Sequence, residues 1–405
     1  MTRSEHLIER LGHHGDGIAE GPVFAPLSLP GEEVSGILEG DRLKDLRVLK
    51  PSDDRVRAPC VHFKSCGGCG LQHASDPFVA DWKVDVVRQA LAAVGLESRF
   101  RDIQTSPVKS RRRAVISARR TKKGAMAGFH MRSSSVICEV SSCDVLHPDL
   151  MPAVEVAKEL AVLGASRKGE LSVTVTLSEG GLDVSVSGGK PLDGAFEAQL
   201  GQEAQRLKVA RLTWDGEVIA TLVPPYQSFG SVRVVPPPGA FLQATREGEA
   251  ALLAAAFEIV GDAKSVVDLF AGCGTFSLPL AKTSEVRAIE GEASMMKALD
   301  RAWREAQGLK KVTVETRDLF RNPVMAEDLR FEAAVIDPPR AGAAAQTEEL
   351  SRSKLDRIAF VSCNPVTFAR DARVLVDRGF SLDWVQVVDQ FRWSSHVELV
   401  GAFTR

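Results

Sequence analysis

The run AFVSCNPVTFARD near the C-terminal end of the chain delivers Ser362, Cys363, Asn364 and Pro365 to the tip of a hydrophobic stretch over residues 358–361. Such a stretch reads as a buried strand. A thiol at its tip is set at the mouth of a site, where its deprotonated form can attack an electrophilic carbon. Glu398, in the β-like segment SSHVELVGAF, is a carboxylate suited to removing a proton. A third group lies in DLFAGCGTFSLPLA, residues 268–281, where Gly272 and Gly274 occupy a turn between a strand and a helix. Glycine there lets the backbone approach a ligand closely, and the amino end of the helix favours negative charge.

The loop lacks the third glycine of G-x-G-x-x-G, which argues against a nicotinamide dinucleotide. Glu290, roughly twenty residues further on at the end of the next strand, suits hydrogen bonds to both hydroxyls of a ribose. Asp318, at the end of the third strand, suits an adenine amino group. A nucleoside cofactor without a pyrophosphate meets these conditions, and S-adenosylmethionine fits. IDPPRAG, residues 336–342, ends a fourth strand with Asp337, two prolines and Arg340. Amino-methylating enzymes carry an aromatic residue after such prolines, so Arg340 counts against that chemistry.

CVHFKSCGGC places Cys60, Cys66 and Cys69 with spacings of five and two residues, and its glycines let a loop fold round an ion. Zinc and a cubane iron–sulfur cluster both require four ligands, and Cys138 and Cys143 are the candidates for the fourth. The seven cysteines are an odd number, which in a reducing compartment fits metal ligands or catalytic thiols better than disulfides. The N-terminus has no apolar core of a secretory signal and no stretch reaches membrane-span length, so a cytoplasmic protein without membrane contact is expected. The formal net charge of −2 hides a local excess: residues 109–123 hold eight basic side chains and no acidic one, a candidate strip for nucleic-acid phosphates.

The elements that must position these groups divide the 405 residues into three expected domains. Residues 1–56 have short β-like runs broken by Gly and Pro, the texture of a small barrel. Residues 57–232 contain the cysteines, a helix over PFVADWKVDVVRQALAAVGL and several β-branched runs. Residues 233–405 follow a Pro-rich boundary and alternate strands with helices: SVVDLF, EVRAIEGE, KVTVETRD, FEAAVIDPP and RIAFVSCNP. The predicted class is α/β, a doubly wound Rossmann-like sheet preceded by an OB-like β-barrel and a central α+β domain. In such a sheet ligands bind beyond the carboxyl ends of the strands, where Asp268, Glu290, Asp318, Asp337 and Cys363 all fall.

A thiol, a base and a methyl-donor site together suit methylation of a pyrimidine. Carbon 5 is a poor nucleophile until a thiolate adds to carbon 6, and a base must later remove the carbon-5 proton. DLFAGCGTFSLPLA, DPPRAG, FVSCNPVTFARD and HVE occur in an order that resembles the RNA 5-methyluridine methyltransferase family over nearly the whole chain. The resemblance implies that Cys363 is the nucleophile and Glu398 the base. It implies that Gln243, Phe270, Thr275, Glu290, Asp318 and Asp337 line the S-adenosylmethionine pocket. It also favours Cys143 as the fourth ligand and a [4Fe-4S] cluster on Cys60, Cys66, Cys69 and Cys143, read as a structural clasp. Two positions depart from the pattern: Thr245 stands for the Asn of F-x-Q-x-N, and Arg392 for the Pro after D-x-F.

The first domain is similar to the TRAM-type RNA-binding barrel of some family members, and the second to their substrate-facing domain. The expected partner is structured RNA, ribosomal RNA ahead of transfer RNA, met by a monomer that flips the target uracil out of its stack. Two other readings predict different behaviour. An inert iron–sulfur RNA-binding protein forms no covalent adduct, and an amino-group methyltransferase needs no Cys363.

Overall fold

The computed structural model describes residues 3–405. Met1 and Thr2, part of the expected first domain, lie outside the described residues. The strands Arg3–Leu11, Gly17–Ala19, Val23–Ala25, Glu33–Glu39 and Arg42–Lys50 close into a barrel around Ile8, Ala19, Val34 and Leu43. Closure leaves no free strand edge in so small a sheet.

A seven-stranded central sheet follows, with Arg113–Thr121 and Leu171–Ser178 near its middle. Along Arg113–Thr121, Ala114, Ile116 and Ala118 turn to the face covered by the helix Ala153–Gly164, which gives this sheet one apolar side.

The last part carries the chemistry. Its strands are β1 (Ser265–Leu269), β2 (Glu285–Glu290), β3 (Val312–Thr316), β4 (Ala333–Ile336), β5 (Arg357–Ser362), β6 (Ser381–Asp389) and β7 (Leu399–Thr404). The sheet order is β3-β2-β1-β4-β5-β7-β6, and β7 alone runs antiparallel to its neighbours. In β4 every residue is buried and successive residues enter opposite cores: Ala333 and Val335 one, Ala334 and Ile336 the other. That pattern is the signature of a sheet covered by helices on both faces.

Two expected boundaries shift. The helix Asp76–Ala92, assigned to the central domain, sends Val87 and Leu91 into the core with Leu269, Ile336 and Phe360, and Arg99–Phe100 then pairs with β6. The apolar face of the helix finds its cover there, and the added strand protects the β6 edge. Phe229 and Val232, ahead of residue 233, also pack in the C-terminal core with Val234 of the same hairpin, Gln227–Phe229 and Val232–Val234.

Candidate active site

The register of β5 against β7 pairs Ser362 with Leu399. Cys363 therefore leaves β5 at the edge where Glu398 enters β7, because antiparallel neighbours put the end of one strand beside the start of the other. Asn364 caps the next helix by accepting from the Val366 N–H at 3.1 Å, and Pro365 occupies its first turn. The Asn364 side chain also donates to the Arg340 carbonyl at 2.9 Å, tying the thiol turn to the DPPR turn after β4. SCNP is thus a strand stop, a helix start and a tether between adjacent turns.

One cavity of about 590 Å³ opens over this edge. It is lined by all eight residues expected from the resemblance: Cys363, Glu398, Gln243, Phe270, Thr275, Glu290, Asp318 and Asp337. Gly272 and Gly274 take φ of 54° and 97°, which glycine adopts without a Cβ penalty. Phe270 also has positive φ, 63°, a strained value for an aromatic residue, and its ring lies 5.5 Å from that of Phe320. Glu290 accepts from the Gly272 N–H at 3.2 Å and from the Glu292 N–H at 3.1 Å, which aims its carboxylate at the glycine turn. Asp318 sits at the exposed rim and accepts from the Phe320 N–H at 3.0 Å, so one oxygen is already engaged. Asp268 lies below the cavity floor, where it accepts from the Ser277 hydroxyl at 2.5 Å.

Burial dominates the electrostatics. It pushes the Asp337 carboxyl up to about 7, with Gln243 acting against the rise and Glu290 adding to it. Glu398 is raised well above the ordinary carboxyl range by burial and then by the charge of Asp337, against a hydrogen bond from Gln390. The Cys363 thiol is raised to about 12 by burial, then by Glu398 and Asp337, while Arg340 draws it down. At neutral pH this thiol rests protonated.

A family model described as tRNA (Uracil-5-)-methyltransferase matches residues 236–404. An uncharacterized RNA methyltransferase of Rhizobium meliloti is 42% identical over 100% of both chains. The 23S rRNA (uracil(1939)-C(5))-methyltransferase RlmD of Vibrio parahaemolyticus is 31% identical, over 98% of this chain and 95% of its own. The chain belongs to the RNA uracil-5-methyltransferase family. Membership makes it an S-adenosylmethionine-dependent RNA methyltransferase. The fold agrees along its full length with the crystal structure of a Pyrococcus abyssi tRNA (uracil-54, C5)-methyltransferase in complex with S-adenosyl-L-homocysteine. That likeness has a TM-score of 0.74 at 22% identity, over 99% of each chain.

A second cavity of this methyltransferase, about 470 Å³, is lined by Cys60, Cys66, Cys69 and Cys143, with Arg111 and His396 shared with the first. Cys138 is not in its lining; its thiol faces the Ser65 hydroxyl at 3.4 Å. Burial raises the thiols of Cys60, Cys66 and, to about 12, Cys69. Among the described residues no three His, Cys, Asp or Glu side chains are gathered closely enough to hold a metal ion as they stand. The expected ligands therefore share a cavity, and the structure shows no coordination sphere. Thiols repel one another once ionised and make only weak hydrogen bonds, so the thiols themselves do not close into a tighter group.

The two departures from the family pattern have local explanations. Thr245 caps the helix Arg246–Val260 by accepting from the Gly248 N–H at 2.9 Å, as an asparagine would. Arg392 pairs with Asp76 and donates to the Ser106 carbonyl at 3.3 Å, fastening its turn to the early helix.

The basic strip does not form one phosphate-binding face. Arg112 is buried and donates to the Gln243 carbonyl at 3.0 Å, a strut between domains. Arg111 lines both cavities, Arg113 donates to the Gly239 carbonyl at 3.2 Å and Arg119 pairs with Glu170, which leaves Lys109 exposed by itself and Arg120, Lys122 and Lys123 exposed around a hairpin tip.

Gln390 was not identified from the sequence as a site residue, although a polar residue right after the apolar β6 stands at the same sheet edge as Cys363. The signal was available in VVDQF.

Proposed function

We propose that this enzyme methylates carbon 5 of one uridine in structured RNA, 23S ribosomal RNA ahead of transfer RNA, through a transient bond between Cys363 and carbon 6. The observation that carries the reading is the β5–β7 pairing, which sets a thiol beside a carboxyl at the wall of the cofactor-type cavity. Identity of 31% to a ribosomal RNA enzyme supports the ribosomal choice.

Bound S-adenosylmethionine supplies an electrophilic methyl group and a positive charge. Glu290 holds the ribose hydroxyls, Asp318 the adenine amino group, and Gln243, Phe270, Thr275 and Asp337 the remaining walls. A cation in the cavity favours the ionised forms of Asp337, Glu398 and Cys363, all of which burial disfavours. The thiol proton passes to a cavity carboxylate and on to water as Sγ bonds to carbon 6. The electron pair released at carbon 5 takes the methyl group as the methyl–sulfonium bond breaks, which leaves S-adenosyl-L-homocysteine as the neutral thioether. Glu398 then removes the carbon-5 proton, the ring double bond re-forms, and the S–C6 bond breaks to return the thiolate.

The donor chemistry of Cys60, Cys66, Cys69 and Cys143 fits a [4Fe-4S] cluster. The cluster is read as a clasp on the RNA-facing side. The N-terminal barrel is read as an RNA-binding module of the TRAM type, and the enzyme as a cytoplasmic monomer. No helix of the described residues is long and apolar enough to cross a membrane.

Incubation with S-adenosylmethionine and RNA containing 5-fluorouridine tests the reaction, because fluorine cannot leave as a proton. A denaturation-resistant adduct that requires Cys363 is expected. Methylation of ordinary RNA by Cys363→Ala would overturn the reading. Mapping methylated uridines in both RNA classes from cells lacking the protein decides the substrate.

A further inference from the structure

Gln390, Gln243 and Glu398 are each almost fully buried and form one hydrogen-bonded chain. The Ala244 N–H donates to Gln390 Oε1 at 2.7 Å. Gln390 Nε2 donates to Gln243 Oε1 at 2.5 Å and to Glu398 Oε2 at 3.2 Å. Gln243 Nε2 donates to Asp337 Oδ2 at 3.1 Å. A backbone N–H can only donate, so the oxygen of Gln390 must face Ala244 and its nitrogen must face the other two residues. Gln243 must then offer its oxygen to Gln390 and its nitrogen to Asp337. One peptide group therefore fixes the sense of every bond in the chain, and both carboxyls, Asp337 and Glu398, receive an amide proton.

We propose that Gln390 is a positioning residue for the general base: it occupies Glu398 Oε2, leaves Oε1 as the oxygen that meets the carbon-5 proton, and ties the base to the cofactor wall through Gln243. The proposal rests on the reading of Glu398 as the base. The turn that carries Gln390 is itself held from outside the cavity. Lys83, fully buried, donates to Asp389 Oδ1 at 2.6 Å and to the Phe391 carbonyl at 3.1 Å on either side of Gln390.

Other charged or titratable groups line the cavity with Glu398. Asp337 and Arg340 follow β4, Cys363 follows β5, and His396 precedes β7; Glu290, Asp318, Arg111 and the Cys273 thiol complete the titratable lining. Gln390 differs from all of these in having no titratable group, so Gln390→Met removes hydrogen bonds without changing the charge count, whereas Gln390→Glu also adds a carboxyl beside Glu398. Loss of an amide proton from a carboxylate makes the carboxylate a weaker acid, and the base is then free only at higher pH.

The test follows adduct formation and adduct breakdown separately in single-turnover reactions with native RNA. Gln390→Met removes all three bonds at similar volume. Gln390→Glu keeps an acceptor for Ala244, and so the local fold, but cannot donate to both Gln243 and Glu398. Both variants are expected to form the adduct within about twofold of the wild-type rate and to release it about tenfold more slowly at neutral pH, with the release midpoint moved to higher pH. A structural role alone would slow both steps together without moving the midpoint, and Gln390→Glu would restore both. That result, or wild-type release in Gln390→Met, overturns the inference. Absence of any adduct in the wild-type enzyme would instead overturn the reading of Cys363.

Discussion

The two cavities of this enzyme share a wall at Arg111 and His396 and are built on different principles. Over the sheet edge, glycine turns, caps and amide-to-carboxylate bonds fix each side chain by the chain's own hydrogen bonds. Around the cysteines the donors are gathered into one lining, but thiols supply no directional bonds of comparable strength. A site made of amides and carboxylates can be complete before its ligand arrives. A site made of thiols acquires its geometry from what it binds.

The sharpest contrast comes from single sulfurs. Cys363→Ala is expected to reduce methyl transfer by at least about 10³-fold while S-adenosyl-L-homocysteine still binds, as calorimetry and labelled-methyl incorporation would register. Wild-type binding with no turnover keeps the first cavity independent of its nucleophile.

Lys83→Met strikes the wall itself. It leaves Asp389 buried without its partner, at a cost of about 3–5 kcal/mol in urea unfolding. Both cavities depend on the turn that follows, since His396 lines each and Phe391 the first. A variant of unchanged stability would show that the pair does not hold this wall.

Asp268 gives the first cavity a pH signature. Burial lifts its carboxyl from the ordinary 3.8 to about 7, so the proton favours the folded state. Its stabilisation is complete below about pH 4 and is lost as pH rises from there through about 7, a span of roughly 4 kcal/mol. Asp268→Asn should flatten that part of the stability profile, measured by urea unfolding without cofactor.

Glu290→Ala should weaken S-adenosyl-L-homocysteine binding by about tenfold, the loss of one charge-assisted hydrogen-bonding group. Occupancy of the proposed cluster, read as iron content, should stay at the wild-type level in the same variant if the cavities are separable.

The smallest effect is expected at Cys138→Ser. In anaerobically purified protein the proposed cluster, read as iron content and visible absorbance, should survive this substitution, because the thiol lies outside the cavity lining. Loss of iron there would bring Cys138 into the ligand set and remove Cys143 as the sole fourth donor.

The alternation of strands and helices was readable because each parallel strand is a short apolar run closed by a turn. Asp337 and Cys363 were readable because they stand where such runs stop. Gln390 was harder: its role depends on β6 ending at the same edge and on the Ala244 N–H reaching it across 146 residues of sequence. The helix Asp76–Ala92 was recognised as an element but misassigned, since helical spacing shows that a face must be buried and not which sheet buries it. The basic strip misled for a related reason. Arginine serves as readily for struts and ion pairs inside a protein as for contacts with phosphate, and sequence spacing does not distinguish these uses.

The antiparallel seat of β7 has one further outcome. A chain stopped before Glu398 would carry the glycine loop, the acidic turns and the Cys363 sulfur, yet it would lack both the proposed base and the strand that closes the sheet between β5 and β6. Such a fragment could capture the methyl donor without a means of finishing the reaction, so competence depends on the last strand to be inserted.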